Sequence, residues 1–237
     1  MSPPPPRHAP RIRAMFDRVA SGYDLMNSVL SFGVHHRWRR RAAALCDLPA
    51  GARVLDLGTG TGDLAAEFLR RDARVVGVDF SEPMLRLARR KLGVQAHWVL
   101  GDALRLPFRA GQFDCTCMGF SCRNVESLDA LFREMARVTR PGGVVMALDF
   151  SLPRRPLLRA LYRLYLGVLV PVVGWVVDRR AYRYLRDSIL AFPPADQVVA
   201  RLTAQGARDA RAVPLTGGLV TVYLGRSTGP PRPTGAV

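Results

Sequence analysis

Short apolar runs alternate with segments of helical spacing over most of the chain. The apolar runs predict strands at Arg53–Leu57, Arg74–Asp79, His97–Gly101, Phe113–Met118, Val144–Phe150, Ala207–Val213 and Leu219–Leu224. Helical spacing predicts helices at Ile12–Leu30, His35–Cys46, Asp63–Arg71, Pro83–Leu92, Leu128–Val138 and Asp196–Gln205. Strands that alternate with helices predict an α/β fold whose open, mainly parallel sheet binds its ligand across the carboxyl ends of the strands.

Length and composition predict one folded domain with unstructured ends. The chain has 237 residues and is 49% hydrophobic, which suffices for a single well-buried domain, predicted here over residues 11–225. Residues 1–10 and 226–237 are rich in proline and lack periodicity, so we expect disordered tails. No apolar segment typical of a signal peptide follows the start of the chain.

Cysteine spacing argues against a metal centre. The four cysteines form no Cys-x-x-Cys pair, and we expect them to be small core residues; they are Cys46, Cys115, Cys117 and Cys122. The sequence therefore predicts no metal site and a reduced, cytoplasmic protein.

A glycine-rich turn follows the first predicted strand. The run LDLGTGTGDLA at Leu55–Ala65 places Gly58, Gly60 and Gly62 between a strand and a helix. Glycine permits positive φ and close approach of the backbone to a nucleotide. The next strand ends in Asp79, at the distance where an acidic residue holds ribose hydroxyls. The turn by itself is equally typical of an NAD-dependent oxidoreductase.

Carboxylates gather around this turn, although the chain carries a formal net charge of +16. Asp63 stands where a dinucleotide-binding turn has Gly or Ala, so we expect it to repel a pyrophosphate. Asp56, Asp79 and Asp102 add acid at the same edge. Such a crevice favours S-adenosylmethionine, whose sulfonium and ammonium groups are positive and which carries no phosphate. The ordinary alternative is that Asp63 only charges a helix start and Asp102 only makes a turn.

Arginine supplies nearly all of the positive charge. Of 35 lysines and arginines only Lys91 is lysine, and the arginines are scattered, with clusters at 37–41, 154–163 and 179–186. Scattered charge is typical of a solvated surface, and contact with anionic lipid or nucleic acid is the alternative. The chain carries no appended RNA-binding module, which disfavours nucleic acid.

An apolar insertion at Leu157–Val177 separates the fifth and sixth predicted strands. Its first half has an apolar helical face opposite a basic one, which is typical of an interfacial helix. The apolar face contains Leu157, Leu158, Leu161, Leu164 and Tyr165, and the basic face contains Arg155, Arg159 and Arg163. Leu164–Val177 is uncharged for 14 residues, fewer than the roughly 20 of a membrane span. We expect a groove for a polyprenyl tail, a shallow membrane contact or an ordinary buried helix.

Several blocks of sequence resemble one family when taken together. MFDRVASGYDLMNSVLSFGVHHRW, FSCRNV, YRYLRDSILAFP and LTGGLV resemble, in order and spacing, segments of the menaquinone/ubiquinone C-methyltransferase family. The resemblance covers Met15–Gly225. It implies a seven-stranded, Rossmann-like methyltransferase fold with helices on both faces. It also implies a helical cap over residues 11–48, an insertion over residues 152–192, and S-adenosylmethionine as cofactor.

The resemblance also implies cofactor contacts at Thr61, Asp79 and the Asp102–Ala103 pair. With the glycine turn, the predicted cofactor set is Gly58, Gly60, Thr61, Asp63, Asp79, Asp102, Ala103 and Gly119. This chain departs from the family's FGLRNV block, because Ser121 and Cys122 occupy the Gly–Leu positions. Gly119 stands where some members contact the cofactor through a serine, so a side-chain contact is excluded there.

The implied reaction is C-methylation of a polyprenylated quinol, demethylmenaquinol to menaquinol, with a ubiquinol precursor or a nucleic acid as alternative substrates. Arg123, after the fourth strand, is expected to stabilise the phenolate or polarise a water. Asn124 is expected to orient the ring oxygen, and Asp149 is the alternative proton acceptor. Tyr23 and Asp24 are expected to close over the cofactor. We further expect peripheral contact with the inner face of the cell membrane, no nucleic-acid partner and, as an option, a homodimer.

Overall fold

The computed structural model describes residues 17, 31, 33–176 and 179–229. The strands are β1 (Arg53–Leu57), β2 (Arg74–Asp79), β3 (Ala96–Leu100), β4 (Phe113–Gly119), β5 (Thr139–Phe150), β6 (Ala207–Leu215) and β7 (Val220–Ser227). The helices are α1 (Val34–Leu45), α2 (Asp63–Leu69), α3 (Glu82–Leu92), α4 (Leu128–Val138), α5 (Pro156–Val176), α6 (Arg179–Leu190) and α7 (Ala195–Ala204). Apart from Asp17, the predicted helix Ile12–Leu30, with Tyr23 and Asp24, lies outside the described residues, as do residues 1–10 and 230–237.

The strands form one seven-stranded sheet in the order β3-β2-β1-β4-β5-β7-β6. Strands β1 to β5 are parallel, whereas β7 runs antiparallel between β5 and β6. The register sets Leu57 opposite both Val78 and Met118, so the carboxyl ends of the parallel strands meet at one edge. The predicted Rossmann-like fold is confirmed. Its strand order reverses between β1 and β4, where such sheets bind ligands.

Apolar side chains on both faces of the strands hold helices on both sides of the sheet. On one face Phe68 of α2 packs with Val54, and on the other Phe132 of α4 packs with Leu55. All four side chains are at most 1% exposed, and burial of each stabilises the fold by about 1.5–3 kcal/mol. The cysteines are buried and unpaired, as predicted.

Two strand boundaries differ from the prediction. The fifth strand is predicted from Val144, but β5 begins at Thr139 and includes residues 140–143. A bulge between Phe113 and Cys115 accommodates the extra residues. At the other end of the chain β7 continues to Ser227, which pairs with Ala207 and is buried. Strand β7 thus extends three residues past the predicted end of the last strand at Leu224.

The insertion is more regular than its composition predicts. Helix α5 spans 21 residues and continues through Gly167, Pro171 and Gly174, although glycine and proline disfavour a helix interior. Helix α6 packs against it, and Tyr162, Leu166 and Tyr182 form the centre of their contact. None of the described helices is long and apolar enough to cross a bilayer.

Candidate active site

The turn between β1 and α2 needs its glycines for conformation and for space. Gly58, Gly60 and Gly62 have φ values of 56°, 55° and 84°, a region in which side chains are strained. A Cβ at Gly58 would lie 3.0 Å from the Cβ of Ser121. The backbone of Gly58 and Gly60 instead lines a cleft above the carboxyl ends of β1, β2, β3 and β4.

Asp79 closes one side of this cleft at the end of β2. Its carboxylate accepts hydrogen bonds from the backbone N–H groups of Gly60, at 2.8 Å, and Ser81, at 2.9 Å. Burial raises the pKa of Asp79 above its ordinary value, although the two N–H groups oppose that shift. The carboxylate thus ties the glycine turn to β2 and faces the cleft with its remaining capacity to accept hydrogen bonds.

Asp102 and Ala103 line the cleft beyond β3. Asp102 also accepts a hydrogen bond from the backbone N–H of Leu104 at 2.9 Å, so it both makes a turn and faces the ligand space. The described residues that line the cleft are Gly58, Gly60, Val78, Asp79, Phe80, Met84, Gly101, Asp102, Ala103, Leu104, Met118, Ser121, Asn124, Val125 and Glu126.

Asp63 does not face this cleft, contrary to our expectation. Its carboxylate forms ion pairs with Lys91 of α3 and, at 3.5 Å, with Arg39 of α1. Burial opposes ionisation, but Arg39 and Lys91 outweigh it and hold the pKa of Asp63 below its ordinary value. Asp63 therefore clamps three helices together, and the argument that it repels a pyrophosphate is wrong.

Asp56 also lies outside the cleft, beneath the glycine turn. The hydroxyl of Thr59 donates to it at 2.6 Å, and the thiol of Cys117 donates at 3.6 Å. Complete burial raises the pKa of Asp56 to about 7. Two of the four expected acids, Asp79 and Asp102, remain at the cleft, and Glu126 joins them from a loop that the sequence did not single out.

The other predicted cofactor residues act in packing. Thr61 is buried, and it does not line the cleft. Gly119 makes room for α2, since a Cβ there would lie 3.0 Å from a methyl carbon of Leu64. Neither position is among the described residues that line the cleft.

One group of side chains has the donor atoms of a metal site. His35, His36 and Asp63 bring ligand atoms within 4.8 Å of one another. Arg39 already contacts His35 and Asp63, and Lys91 contacts Asp63. Two cations at the same atoms disfavour a third, so this group is best described as an ion-pair cluster.

Arg123 and Asp149 form a buried ion pair behind the cleft. The guanidinium of Arg123 donates to Asp149 at 2.8 Å, and the backbone N–H of Arg123 donates to the same carboxylate at 3.0 Å. The N–H of Phe150 adds a third hydrogen bond to it at 2.8 Å. Asp149 is fully buried, and neither member of the pair lines the cleft. The structure therefore does not support the direct roles expected for them, as oxyanion donor and as base.

Asn124 is the predicted catalytic residue that reaches the cleft. Its side-chain oxygen accepts a hydrogen bond from the hydroxyl of Tyr184 on α6 at 3.1 Å. Its side-chain nitrogen is buried and has no hydrogen-bond partner among the described residues. Because the oxygen is already engaged, the remaining hydrogen-bonding capacity of this amide is that of its nitrogen, a donor. Tyr184 lies in the quoted YRYLRDSILAFP block, but nothing in its spacing indicated this contact.

The sequence profile of the ubiE/COQ5 methyltransferase family matches residues 7–227. The chain belongs to this family. It is 42% identical over 212 residues to a demethylmenaquinone methyltransferase of Roseiflexus castenholzii, covering 87% of this chain and 89% of the relative. The corresponding enzyme of Thermus thermophilus is 40% identical over 89% of this chain and 99% of its own. A ubiquinone/menaquinone biosynthesis C-methyltransferase of Geobacter sp. strain M21 is 39% identical over 91% and 95%.

Solved structures of other proteins share the fold of this chain. A SAM-dependent methyltransferase of Thermotoga maritima superposes with a TM-score of 0.68 at 19% identity, covering 90% of this chain and 98% of its own. One from Aquifex aeolicus gives a TM-score of 0.56 at 17% identity over 79% and 88%. The protein is an S-adenosylmethionine-dependent methyltransferase.

The cleft fits this cofactor. Asp79 and Asp102 suit the ribose hydroxyls and the adenine amino group, and no side chain at Gly58 or Gly60 intrudes. Asn124, whose side-chain nitrogen is buried and has no described partner, also lines the cleft.

Proposed function

We propose that the protein methylates a ring carbon of a polyprenylated quinol, converting demethylmenaquinol to menaquinol. The names of its relatives support this substrate class. The observation that carries the chemistry is a buried, unpartnered donor on Asn124 in a cleft whose acids, Asp79 and Asp102, suit a cationic nucleoside. A ubiquinol precursor is the alternative substrate.

In this proposal the cofactor lies against the glycine turn, with Asp79 at its ribose and Asp102 at its adenine. When bound, S-adenosylmethionine supplies an electrophilic methyl group. The chain orients the acceptor ring against it, and well-aligned reactants gain on the order of 7–11 kcal/mol from proximity and orientation.

Asn124 stabilises the negative charge that the ring oxygen carries once the quinol hydroxyl has lost its proton, the form in which the ring carbon is nucleophilic. Its side-chain nitrogen donates to that oxygen, in the manner of an oxyanion hole. After the methyl group is transferred, the ring carbon releases its own hydrogen as a proton. Tyr184 fixes the amide orientation from α6. Arg123 acts one step further away, because its bonds to Asp149 hold the Cys122–Asn124 turn in place. Arg123 and Asp149 are thus positioning residues.

The direct test is methylation by the purified protein. Reduced demethylmenaquinone and S-adenosylmethionine should give menaquinol, seen by mass spectrometry as addition of one methylene unit. Parallel reactions with a reduced demethylated ubiquinone precursor and with RNA measure the alternatives. Methylation of RNA alone would overturn the proposal, and faster methylation of the ubiquinone precursor would reassign the substrate.

An exposed face of α5 supports a second part of the proposal, contact with an anionic membrane. Leu157, Leu161, Leu164 and Val168 are 74%, 55%, 61% and 55% exposed and recur at helical spacing. This stripe is narrower than the predicted face, because Leu158 and Tyr165 turn inward. Exposed arginines, including Arg155 and Arg163, accompany it. Such a face lies in the plane of a bilayer and favours anionic lipid.

Vesicle sedimentation tests this contact. Wild-type protein should sediment with phosphatidylglycerol vesicles and much less with phosphatidylcholine, and Leu157→Ser with Leu161→Ser should release it. Equal release by Val94→Ser, at an exposed position on the far connection between α3 and β3, would contradict a role for α5. A homodimer stays a prediction, which gel filtration of the same sample measures.

A further inference from the structure

A second groove lies on the same edge of the sheet, away from the cofactor cleft. It has a volume of about 700 Å³, within the usual range of ligand sites. We call it the arginine groove, and its walls are the start of α5, the connection between α6 and α7, and the ends of β6 and β7. It shares no lining residue with the cofactor cleft.

Positive charge lines one wall of the arginine groove. Arg154, Arg155 and Arg159 face it, against a single acid, Asp196. Arg154 and Arg155 are exposed and form no ion pair with any described residue. Arg159 donates from Nε to the carbonyl of Pro153 at 2.8 Å, which leaves its terminal nitrogens to the groove. Guanidinium groups so arranged favour a phosphate.

The groove also has an apolar wall. Leu152, Leu158, Phe192, Pro194 and Pro214 contribute to it. A free inorganic anion would leave this wall in contact with water, and a plain hydrocarbon would leave the arginines unused. The combination fits an amphiphile that has an anionic head and an apolar body.

The groove opens beside the exposed stripe of α5. Leu157 points outward and is 74% exposed, whereas the next residue, Leu158, lines the groove. A molecule that lies in a membrane surface against the stripe would therefore reach the groove with its headgroup. The geometry points to a binding site for one anionic phospholipid, with its phosphate at the three arginines and its glycerol and upper acyl chains against the apolar wall.

This site is tested without a bilayer, so that its outcome is independent of methylation and of vesicle binding. Isothermal titration calorimetry uses dihexanoyl phosphatidylglycerol below its micellar concentration. We expect saturable binding of one molecule per chain. Arg154→Gln with Arg155→Gln should weaken it at least about tenfold, the loss expected for charge-assisted bonds to phosphate. Asp196→Asn should strengthen it by removing the opposing acid.

Matched variants and ligands decide between specific binding and general attraction. Arg208→Gln with Arg211→Gln removes the same charge from exposed positions on β6 outside the groove, and affinity should stay unchanged. Equal weakening by both pairs of substitutions would overturn the site. Equal affinity for inorganic phosphate, or for dihexanoyl phosphatidylcholine, would also overturn it, because the apolar wall or the anionic head would then contribute nothing.

Discussion

The two halves of one sheet edge differ in the sign of their charge and in what they leave to solvent. Over β1 to β4 the cleft is acidic, and backbone N–H groups already fix the carboxylate of Asp79. Over β5 to β7 the start of α5 presents arginines and solvent-exposed leucines. The first half is preorganised for a small cation, whereas the second suits an extended anionic and apolar surface. The protein has a net positive charge, but its cofactor cleft is acidic. This separation of charges allows a basic protein to bind a cationic cofactor.

Arg123→Met tests the border between the halves and has the largest expected effect. It leaves the buried carboxylate of Asp149 without its cation, which costs about 3–5 kcal/mol. Urea unfolding followed by circular dichroism should measure this loss in free energy of unfolding. Adding Asp149→Leu should recover most of it. Arg201→Met, which removes an exposed partner of Asp129, should cost less than about 1 kcal/mol, and equal losses would contradict a special role for the buried pair.

Asp79→Ala tests the acidic half. It removes the carboxylate that the proposal places at the ribose, and we expect cofactor binding to weaken by roughly 1.5–3 kcal/mol. Calorimetric titration with S-adenosylmethionine measures the change. Asp129→Asn removes the same charge from the start of α4 outside the cleft and should leave affinity intact. Unchanged affinity in Asp79→Ala would remove this residue from the cofactor site.

Asp56, in the acidic half, makes the stability of the protein depend on pH. Its folded pKa is about 7 against an ordinary 3.8, so between these values the folded state holds a proton that the unfolded state has released. Stability therefore falls as pH rises through this window, by up to about 1.4 kcal/mol per pH unit. Asp56→Asn should lose that slope in unfolding experiments across the window. Parallel curves for variant and wild type would contradict the raised pKa.

Asp63 supplies the internal comparison for this experiment. Its lowered pKa has the opposite sign, so its contribution is present above the ordinary carboxyl pKa and is lost as pH falls through the folded value. Asp63→Asn should therefore lower the free energy of unfolding most near neutral pH. As pH rises, Asp56→Asn should gain stability relative to wild type, whereas Asp63→Asn should lose it.

Tyr184→Phe tests the contact between the halves and has the smallest expected effect. Loss of its bond to Asn124 should lower kcat by up to about tenfold, the scale of one hydrogen bond, while KM for the cofactor stays the same. Tyr165→Phe removes a hydroxyl from α5 as a control. A rise in KM with unchanged kcat would make Tyr184 a structural residue only.

The sequence predicts the strands well because each is a short apolar run with turn residues at its ends. The direction in which a side chain points is much harder to predict from the sequence. Asp63 was correctly placed at the start of a helix, yet its orientation depends on Arg39 and Lys91, which approach from other helices. The partner of Asn124 likewise comes from 60 residues away. Such tertiary pairings leave no local pattern.

Helix α5 shows the converse case, in which the local sequence disfavours a structure that nevertheless forms. Gly167, Pro171 and Gly174 disfavour a helix, since proline removes a helical hydrogen bond and glycine adds backbone entropy. The helix nevertheless continues. Part of its length packs against α6, and packing of this kind overrides intrinsic propensity.

The position of β7 has a consequence for biosynthesis. This last strand inserts between β5 and β6, so a ribosome releases β5 long before its neighbour exists. Until then Val144–Phe150, one of the most apolar segments of the chain, presents an open edge to other nascent chains. Expression at low temperature or with a chaperone should accordingly raise the yield of this protein more than any change to its surface.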